Sequence, residues 1–271
     1  MVTNGRRPRL PLPSGNPSRH PFLAHEGPLA FAHRGGAAGG TENTLSAFAR
    51  AAALGYRYME TDVHATADGR LVAFHDATLD RVTDGSGPIA RLPWSEVRRA
   101  RVAGSEPVPL FEELLRALPR VRWNVDVKSE AALAPLLRLL EETGAWERVC
   151  VGSFDEARVA RAQSHAGFRL LTSLGTSGVL GLRLRAYGLP ARIRASARCA
   201  QVPERHGAVR VVDRAFVRAA HARSMQVHVW TVNERERAEA LLDLGVDGIM
   251  TDDLEMLRDV LDARGHWPTA P

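Results

Sequence analysis

From residue 28 onward, short apolar runs alternate with stretches in which apolar residues recur every three or four positions. The short runs have the length of buried β-strands, and the longer stretches have the period of amphipathic helices. The runs predict eight strands, over 29–33, 56–62, 122–128, 149–153, 168–172, 198–202, 226–230 and 246–250. Helices are predicted between them over 44–54, 110–118, 131–143, 155–164, 213–223 and 234–244.

Residues at the helix boundaries support these ranges. Asp213 and Asn233 precede helical stretches, where a side-chain oxygen can accept a hydrogen bond from a free backbone N–H. Gly55, Gly144 and Gly245 follow helical stretches, where a glycine commonly ends the helix.

The alternation itself predicts the fold class. Eight strand–helix units over about 240 residues indicate an α/β protein with a (β/α)8 barrel. The alternative is an open doubly wound sheet, whose nucleotide-binding versions carry G-x-G-x-x-G after the first strand. The glycine-rich stretch 35–40 lacks that spacing, and we therefore favour the barrel.

A ninth β-like run, 70–75, follows the second strand after Asp68-Gly69, which is typical of a two-residue hairpin turn. A parallel neighbour would need a crossover of about a dozen residues, so this run should return antiparallel. With the turn at 68–69, Asp62 faces His75. Since facing residues share one side of a hairpin, the pairing predicts that His75 lies beside the acidic residues of the second strand.

Residues 77–108 form an insertion after this hairpin, with turn signals and a short helical piece, and we expect it to cap the top of the barrel. Residues 1–27 are rich in Pro, Arg, Gly and Ser and show no apolar period, which predicts a mostly disordered tail. The barrel domain is then expected over 28–265, with a short C-terminal tail at 266–271.

Charge and composition exclude some classes of protein. The net charge is +5, but the arginines are spread along the chain without a basic block, which argues against nucleic acid as a partner. No run has the length of a membrane span, and no apolar core of an export signal follows Arg6-Arg7, so we expect a cytoplasmic protein without stable membrane insertion. The spacing of Cys150 and Cys199 fits no metal motif and predicts two buried free thiols.

Three short pieces carry the candidate chemistry: His33-Arg34, Glu60-Thr61-Asp62 and His75-Asp76. Each lies at the end of a strand-like run or just after one, and in a barrel the carboxyl ends of the strands surround one site. Imidazole titrates near neutral pH, so His33 and His75 are the candidates for acid–base catalysis. Such chemistry suits an anionic substrate, with phosphodiesters as the leading candidates.

The acidic residues predict a cation. Glu60 and Asp62 are two positions apart on a strand and point to one side. Asp126 and Lys128 repeat that arrangement at the end of the third barrel strand. Three converging carboxylates would repel one another without a cation, and oxygen ligands without thiolates favour Mg²⁺ or Ca²⁺.

Further side chains complete the predicted site. Lys128 is the sole lysine among 36 basic residues, which indicates a need for its compact ammonium group. Arg34 and Lys128 suit phosphate oxygens. Glu42 and Asp76 are expected to orient Arg34 and His75 or to support the metal ligands by hydrogen bonds. Trp230 ends an apolar strand and is either a wall beside the substrate or a tryptophan of the core.

The assembled pattern resembles the glycerophosphodiester phosphodiesterase family. The matching segments are AHRGG (32–36), ENTLSAF (42–48), ETDVHATADGRLVAFHDATLDRVTDGSG (60–87), NVDVKSE (124–130), SFD (153–155), VWTVNE (229–234) and GVDGIMTD (245–252). They span 28–256, and the combination of HR, E-x-D and HD is far more specific than any single piece.

The resemblance implies a TIM-like barrel whose insertion covers the site. It implies His33 and His75 as the catalytic pair, and Arg34 and Lys128 as phosphate contacts. It also implies a divalent cation held by Glu60, Asp62 and Asp126. The implied activity is hydrolysis of a small-molecule glycerophosphodiester to an alcohol and glycerol 3-phosphate, with water or the glycerol 2-hydroxyl as nucleophile.

Two positions depart from the family pattern. Asp126 stands where the family usually has glutamate, and Thr41 stands where it tends to have proline. An aspartate as third ligand also resembles the spider-venom-type phospholipases D. That group ranks lower because it is secreted and bears disulfides.

Two other functions stay open at this point. The basic and apolar stretch 177–194 could contact a membrane surface, which would suit a lysophospholipase D-type activity on lysophospholipids. A catalytically silent barrel that binds phosphorylated ligands would have lost histidines or acids, and none is missing here. The sequence does not determine the oligomeric state.

Overall fold

The structure, a computed structural model, describes residues 20–37, 40–193 and 196–267. Eight parallel strands form its centre. They are β1 (Leu29–His33), β2 (Tyr58–Ala65), β3 (Arg122–Val127), β4 (Val149–Gly152), β5 (Leu171–Thr172), β6 (Cys199–Pro203), β7 (Gln226–Trp230) and β8 (Gly248–Thr251). Their order in the sheet is β5-β4-β3-β2-β1-β8-β7-β6. A parallel bridge between Ser173 and Cys199 brings the two ends of this sheet together. The predicted (β/α)8 barrel is thereby confirmed.

Helices surround the barrel, and the described ranges contain nine of them. They are α1 (Leu45–Ala53), α2 (Trp94–Val97), α3 (Phe111–Ala117), α4 (Glu130–Thr143), α5 (Glu156–Ala166), α6 (Thr176–Ala186), α7 (Arg214–His221), α8 (Arg235–Leu244) and α9 (Leu254–Ala263). Four 3₁₀ turns cover Pro21–Leu23, Ile89–Arg91, Ala145–Arg148 and Gly167–Arg169.

The helix boundaries confirm most of the predicted caps. The Asp213 carboxylate accepts a hydrogen bond from the Phe216 N–H at 2.8 Å, and Gly144 and Gly245 end their helices in the left-handed conformation. The prediction for Asn233 is wrong, because α8 begins after Glu234. Asn233 instead forms hydrogen bonds with Asp252.

Alternation along the strands divides the barrel into two faces. On β3, Trp123, Val125 and Val127 point outward into the large core between sheet and helices. A second apolar cluster, with Phe31 and Tyr58, lies inside the barrel. Because side chains alternate, the inward positions at the carboxyl ends of the strands form the mouth of the barrel.

The hairpin after β2 differs from the prediction by one residue. The return strand, Leu71–Ala73, pairs Val63 with Ala73 and Ala65 with Leu71. The loop therefore has three residues, 67–69, and Gly69 takes a positive φ of 77°, as in a type I turn followed by a bulge. The predicted pairing of Asp62 with His75 is wrong: the Asp62 carbonyl accepts from the Phe74 N–H.

The insertion forms a small subdomain beside the hairpin. It contains α2 and a two-stranded ribbon of Arg101–Val102 and Glu106–Pro107. Its own apolar cluster includes Leu79, Ile89 and Val97, together with Phe74 of the hairpin. Further bonds attach it at two sides, from the Trp94 N–H to the Asp68 carboxylate at 2.9 Å and from the Ser46 hydroxyl to the Glu106 carboxylate at 2.8 Å.

The amino-terminal segment closes the base of the barrel, and this corrects the predicted tail. Phe22 and Leu23 are buried against the inner cluster. Tyr58 donates a hydrogen bond to the Phe22 carbonyl at 2.8 Å, and Gln226 donates to the Leu23 carbonyl at 3.3 Å. Residues 20–27 thus belong to the folded domain, whereas 1–19 lie outside the described residues.

The other end of the chain also packs at this base. The ring of Trp267 lies 4.9 Å from that of Tyr56 in an edge-to-face contact, so the predicted tail at 266–271 is wrong for its first two residues. Residues 268–271 lie outside the described residues.

Two remaining predictions concern thiols and membrane spans. Cys150 and Cys199 are free and fully buried, with their Sγ atoms 3.9 Å apart, as predicted. In the part of the chain that the structure describes, the helices are too short or too polar to cross a membrane.

Candidate active site

Strand register assembles the predicted residues at the mouth of the barrel. His33 pairs with Glu60 between β1 and β2, and Asp62 pairs with Asp126 between β2 and β3. These are inward positions at the carboxyl ends of three neighbouring strands. The sequence thus places the four side chains together through strand order and alternation alone.

Glu60, Asp62 and Asp126 form the carboxylate cluster. Lys128 lies between two of its members, with Nζ 2.8 Å from Asp62 Oδ1 and 2.7 Å from Asp126 Oδ2. Arg34 Nε lies 3.4 Å from Asp62 Oδ2. Arg34 and Lys128, predicted as phosphate contacts, are therefore held by acidic residues at the site.

Burial and neighbouring charges shift the pKa values of the three carboxylates in different directions. Burial raises the pKa of Glu60 to about 8, and the charge of Asp62 adds to that shift. Burial also raises the pKa of Asp126. For Asp62, burial is outweighed by Lys128 and Arg34, and its pKa falls below the usual range. Asp62 is thus the member of the cluster that stays ionised most readily.

His33 is held between two carboxylates. Its Nδ1 donates a hydrogen bond to Asp252 Oδ1 at 2.7 Å, and its Nε2 lies 3.7 Å from Glu60 Oε2. Asn233 fixes Asp252 in turn, donating to Oδ2 at 2.9 Å and accepting from the backbone N–H at 2.8 Å. Burial opposes the charged imidazolium, but Glu60 and Asp252 outweigh it and raise the pKa of His33.

His75 is held in a similar way on the other side of the site. Its Nδ1 donates to Asp76 Oδ1 at 2.6 Å, which leaves Nε2 for proton exchange. Arg81 and Glu42 connect Asp76 to Arg34, which lies beside Asp62, so His75 lies near the cluster although the predicted strand pairing is wrong. The return strand ends at Ala73, so regular strand pairing does not set the position of His75.

Arg81 of the insertion joins the two halves of the site. It donates to Asp76 Oδ2 at 2.5 Å and to Glu42 Oε1 at 2.6 Å. Glu42 also accepts from Arg34 at 3.1 Å. Asp76 is therefore hydrogen-bonded to His75 and Glu42 to Arg34, and Arg81 holds both carboxylates. That these carboxylates orient the two side chains stays a prediction.

An aromatic pair borders the site. Trp230 ends β7, and its ring centroid lies 6.0 Å from that of Phe154, with the two planes at 87°. Lys128 Nζ lies 5.9 Å from the centre of the Phe154 ring. Trp230 also packs against the inner apolar cluster of the barrel, and its role as a wall beside the substrate stays a prediction.

Comparison with known proteins identifies the family of the chain. The model of the "Glycerophosphoryl diester phosphodiesterase family" matches residues 33–256. The chain belongs to this family.

Individual relatives support the same conclusion. The chain is 43% identical over 256 residues to the Mycobacterium tuberculosis protein named "Probable glycerophosphodiester phosphodiesterase 2". The aligned region covers 92% of this chain and 96% of that protein. It is 30% identical over 257 residues to the glycerophosphodiester phosphodiesterase of Caldanaerobacter subterraneus subsp. tengcongensis, covering 88% of this chain and 99% of the relative.

A solved structure shares the fold of this family member. The structure of an Oleispira antarctica phosphodiesterase in complex with the product sn-glycerol-3-phosphate superposes with a TM-score of 0.72. It is 22% identical, and the match covers 87% of this chain and 97% of the Oleispira chain.

The side chains present fit the divalent cation that the family resemblance implies, through their donor chemistry. In residues 20–37, 40–193 and 196–267, no three His, Cys, Asp or Glu side chains form a ready-made metal site. Lys128 lies between Asp62 and Asp126. Around the mouth, however, there are six carboxylates and three basic side chains. The carboxylates belong to Glu42, Glu60, Asp62, Asp76, Asp126 and Asp252, and the basic side chains to Arg34, Arg81 and Lys128. This excess of oxygen donors suits a hard ion.

Four residues of the site were missed from the sequence: Asp252, Asn233, Arg81 and Phe154. Asp252 had a signal, because Gly248 and Met250 point inward on β8 and the next inward position is 252. Arg81 had none, since its partners Asp76 and Glu42 come from separate loops and its position depends on the fold of the insertion.

Proposed function

We propose that this member of the family hydrolyses glycerophosphodiesters to an alcohol and glycerol 3-phosphate, with His33 and His75 as the proton-transfer pair. The observation that carries the proposal is the matched geometry of the two imidazoles. In each, Nδ1 donates to an aspartate, which leaves Nε2 as the position that can exchange a proton. A hydrolytic displacement at phosphorus needs one group to accept a proton and another to give one.

The charged residues have separate tasks in this proposal. Arg34 and Lys128 contact the phosphate oxygens, as their positions beside Asp62 allow. A divalent cation, Mg²⁺ or Ca²⁺, bound through Glu60, Asp62 and Asp126 would offset phosphate charge. Asp252 and Asp76 keep the two imidazoles oriented, so that proton exchange occurs at Nε2.

The first experiment measures release of glycerol 3-phosphate from glycerophosphocholine with Mg²⁺, Ca²⁺ or EDTA. His33→Ala and His75→Ala should each lower kcat by about 10²–10⁴-fold, because each removes a general acid or base. His206→Ala is the matched control, since His206 is exposed on a separate two-stranded ribbon.

The outcomes separate the elements of the proposal. Release that stops with EDTA and with either catalytic substitution supports it. Release that survives both His33→Ala and His75→Ala would refute the assignment of the pair. The cytoplasmic location predicted from the sequence is a separate proposal, which fractionation of cells that express the protein would test.

A further inference from the structure

Phe154 exposes most of its apolar ring to water, which is unfavourable in free energy. It follows β4 at the mouth, and 65% of its surface is accessible. The centre of its ring lies 6.0 Å from that of Trp230, with the two planes at 87°. It also lies 5.9 Å from Nζ of Lys128, which is bound to the carboxylate cluster. An aromatic surface of this kind, open to solvent and next to catalytic groups, is typical of a ligand contact.

Both rings are held in place by the fold. Trp230 is half-buried and packs against the inner apolar cluster of the barrel. The backbone of Phe154 is held on both sides: its carbonyl accepts from the Thr176 hydroxyl at 3.1 Å, and the preceding Ser153 hydroxyl donates to the Val127 carbonyl at 3.0 Å. The fold therefore fixes the Trp230 ring and the backbone that carries the Phe154 ring.

The chemistry of the two rings indicates which part of the substrate they contact. The glycerol moiety carries hydroxyl groups, which need hydrogen-bond partners when they lose water. Phe154 offers none in its side chain, so its ring suits the alcohol on the other side of the phosphate. Aromatic faces attract cations, and quaternary ammonium groups are well suited to them because they carry charge without hydrogen-bond donors.

The charge next to the Phe154 ring does not exclude a cationic alcohol. Lys128 lies close to Phe154, but its own charge is offset by Asp62 and Asp126, at 2.8 and 2.7 Å. A second cation on the open face of the Phe154 ring is therefore tolerated.

We propose that Phe154 and Trp230 form a subsite for a quaternary ammonium alcohol, the choline type, in the leaving group of the substrate. This inference rests on the proposed hydrolysis of glycerophosphodiesters and names the class of alcohol that the site prefers. Phe154 supplies the open aromatic face, and Trp230 fixes its orientation.

The test compares two substrates of the same shape. One is glycerophosphocholine, and the other is the 3,3-dimethylbutyl ester of glycerol 3-phosphate, in which a tert-butyl group replaces the trimethylammonium group. The unmodified enzyme should prefer the choline ester in kcat/KM by about 3-fold or more, which is the size of a cation–π contact at an exposed site. Phe154→Leu should bring that ratio towards one, and Phe154→Tyr, which keeps the aromatic face, should retain it.

Phe168→Leu is the control, because Phe168 is 93% exposed and lies in a 3₁₀ turn before β5, away from the mouth. An equal rate on both esters in the unmodified enzyme would overturn the subsite while leaving the hydrolase intact. A ratio that Phe154→Leu leaves unchanged would overturn it as well. Failure to hydrolyse either ester would instead refute the proposed function, and the subsite with it.

Discussion

At the scale of single residues, the catalytic candidates are defined by what holds their Nδ1 atoms. Asp252 and Asp76 accept from His33 and His75 at 2.7 and 2.6 Å. Because the hydrogen bond fixes the proton on Nδ1, the neutral ring presents a lone pair at Nε2. The acidic partners therefore decide which tautomer faces the substrate.

Asp252→Asn tests this role of the aspartate. Asn233 donates to Oδ2 of Asp252, so the new amide should turn its oxygen towards Asn233 and its NH₂ group towards His33. That arrangement favours the proton on Nε2 of His33, which is the wrong tautomer for a base there, and kcat should fall by about tenfold or more. The measurements are kcat and the ¹⁵N shifts of the His33 ring.

Asp243→Asn is the control for a lost carboxylate, since Asp243 is exposed and pairs with Arg264. It should leave both readouts unchanged. If Asp252→Asn keeps full kcat and the original tautomer, Asp252 has no positioning role.

Sequence reasoning found the two histidines, the cluster and Arg34, because strand-end position and residue type suffice to indicate them. It missed Asp252 because an aspartate after a strand is also a common helix cap, and Asp253 is in fact the cap of α9. Only the inward alternation of β8 distinguishes the two neighbouring aspartates.

At the scale of elements, the hairpin and the insertion form one unit. The predicted turn at Asp68-Gly69 has the right residues but the wrong length, because Gly69 in the left-handed conformation serves two- and three-residue loops alike. A shift of one residue reverses the face of every following side chain, so the position of His75 could not be derived from the turn signal. In the structure its ring is held by the hydrogen bond of Nδ1 with Asp76.

Arg81→Lys tests whether the insertion supports catalysis. A guanidinium can hold Asp76 and Glu42 at once with its planar fork, whereas an ammonium cannot match that geometry. We expect kcat to fall by about tenfold with a change in the free energy of unfolding below about 1 kcal/mol, since exposed ion pairs add little stability.

Arg99→Lys, at an exposed position of the same insertion, should change neither quantity. Equal loss of kcat in both variants would mean that the insertion acts through its fold and not through Arg81.

The link between α7 and the sheet predicts a pH-dependent contribution to stability. His221 Nε2 donates to Asp247 Oδ2 at 2.8 Å, and this hydrogen bond raises the pKa of His221 above its usual value. A raised pKa in the folded state means that the stabilisation is complete below the unfolded pKa, near 6.5, and is lost as pH rises through the folded pKa.

His221→Gln should therefore reduce the free energy of unfolding more at pH 5.5 than at pH 8.5, by up to about 1 kcal/mol. Urea denaturation at both pH values measures the difference, with His206→Gln as the exposed control. A larger loss at pH 8.5 would contradict the assigned direction of the pKa shift.

At the scale of the whole molecule, the barrel is closed at its base by a segment whose composition predicts disorder. The pattern of 1–27 has no period, and a 3₁₀ turn of three residues is too short to create one. Phe22 nevertheless fills the inner cluster, with its ring 5.3 Å from that of Tyr58. The eight strands could be predicted from the sequence because their apolar pattern repeats. The contact of Phe22 occurs once and has no repeating pattern that would predict it.

Phe22→Ala should destabilise the protein by about 3–5 kcal/mol, because it removes a fully buried aromatic ring and leaves a cavity at the base. Phe168→Ala, at a position that is 93% exposed, should cost less than about 0.5 kcal/mol. Urea denaturation compares the two. Similar small losses in both variants would show that the segment does not stabilise the barrel.

The base has a practical consequence for handling the protein. Residues 20–27 and 266–267 both pack there, and Gly27 lies against His266, so the two ends of the described chain leave from one face. The mouth, with its histidines and its aromatic wall, opens at the opposite end of the strands. A bead or an electrode attached at residue 20 or residue 267 would therefore hold the protein by its base and leave the catalytic face turned towards the solution.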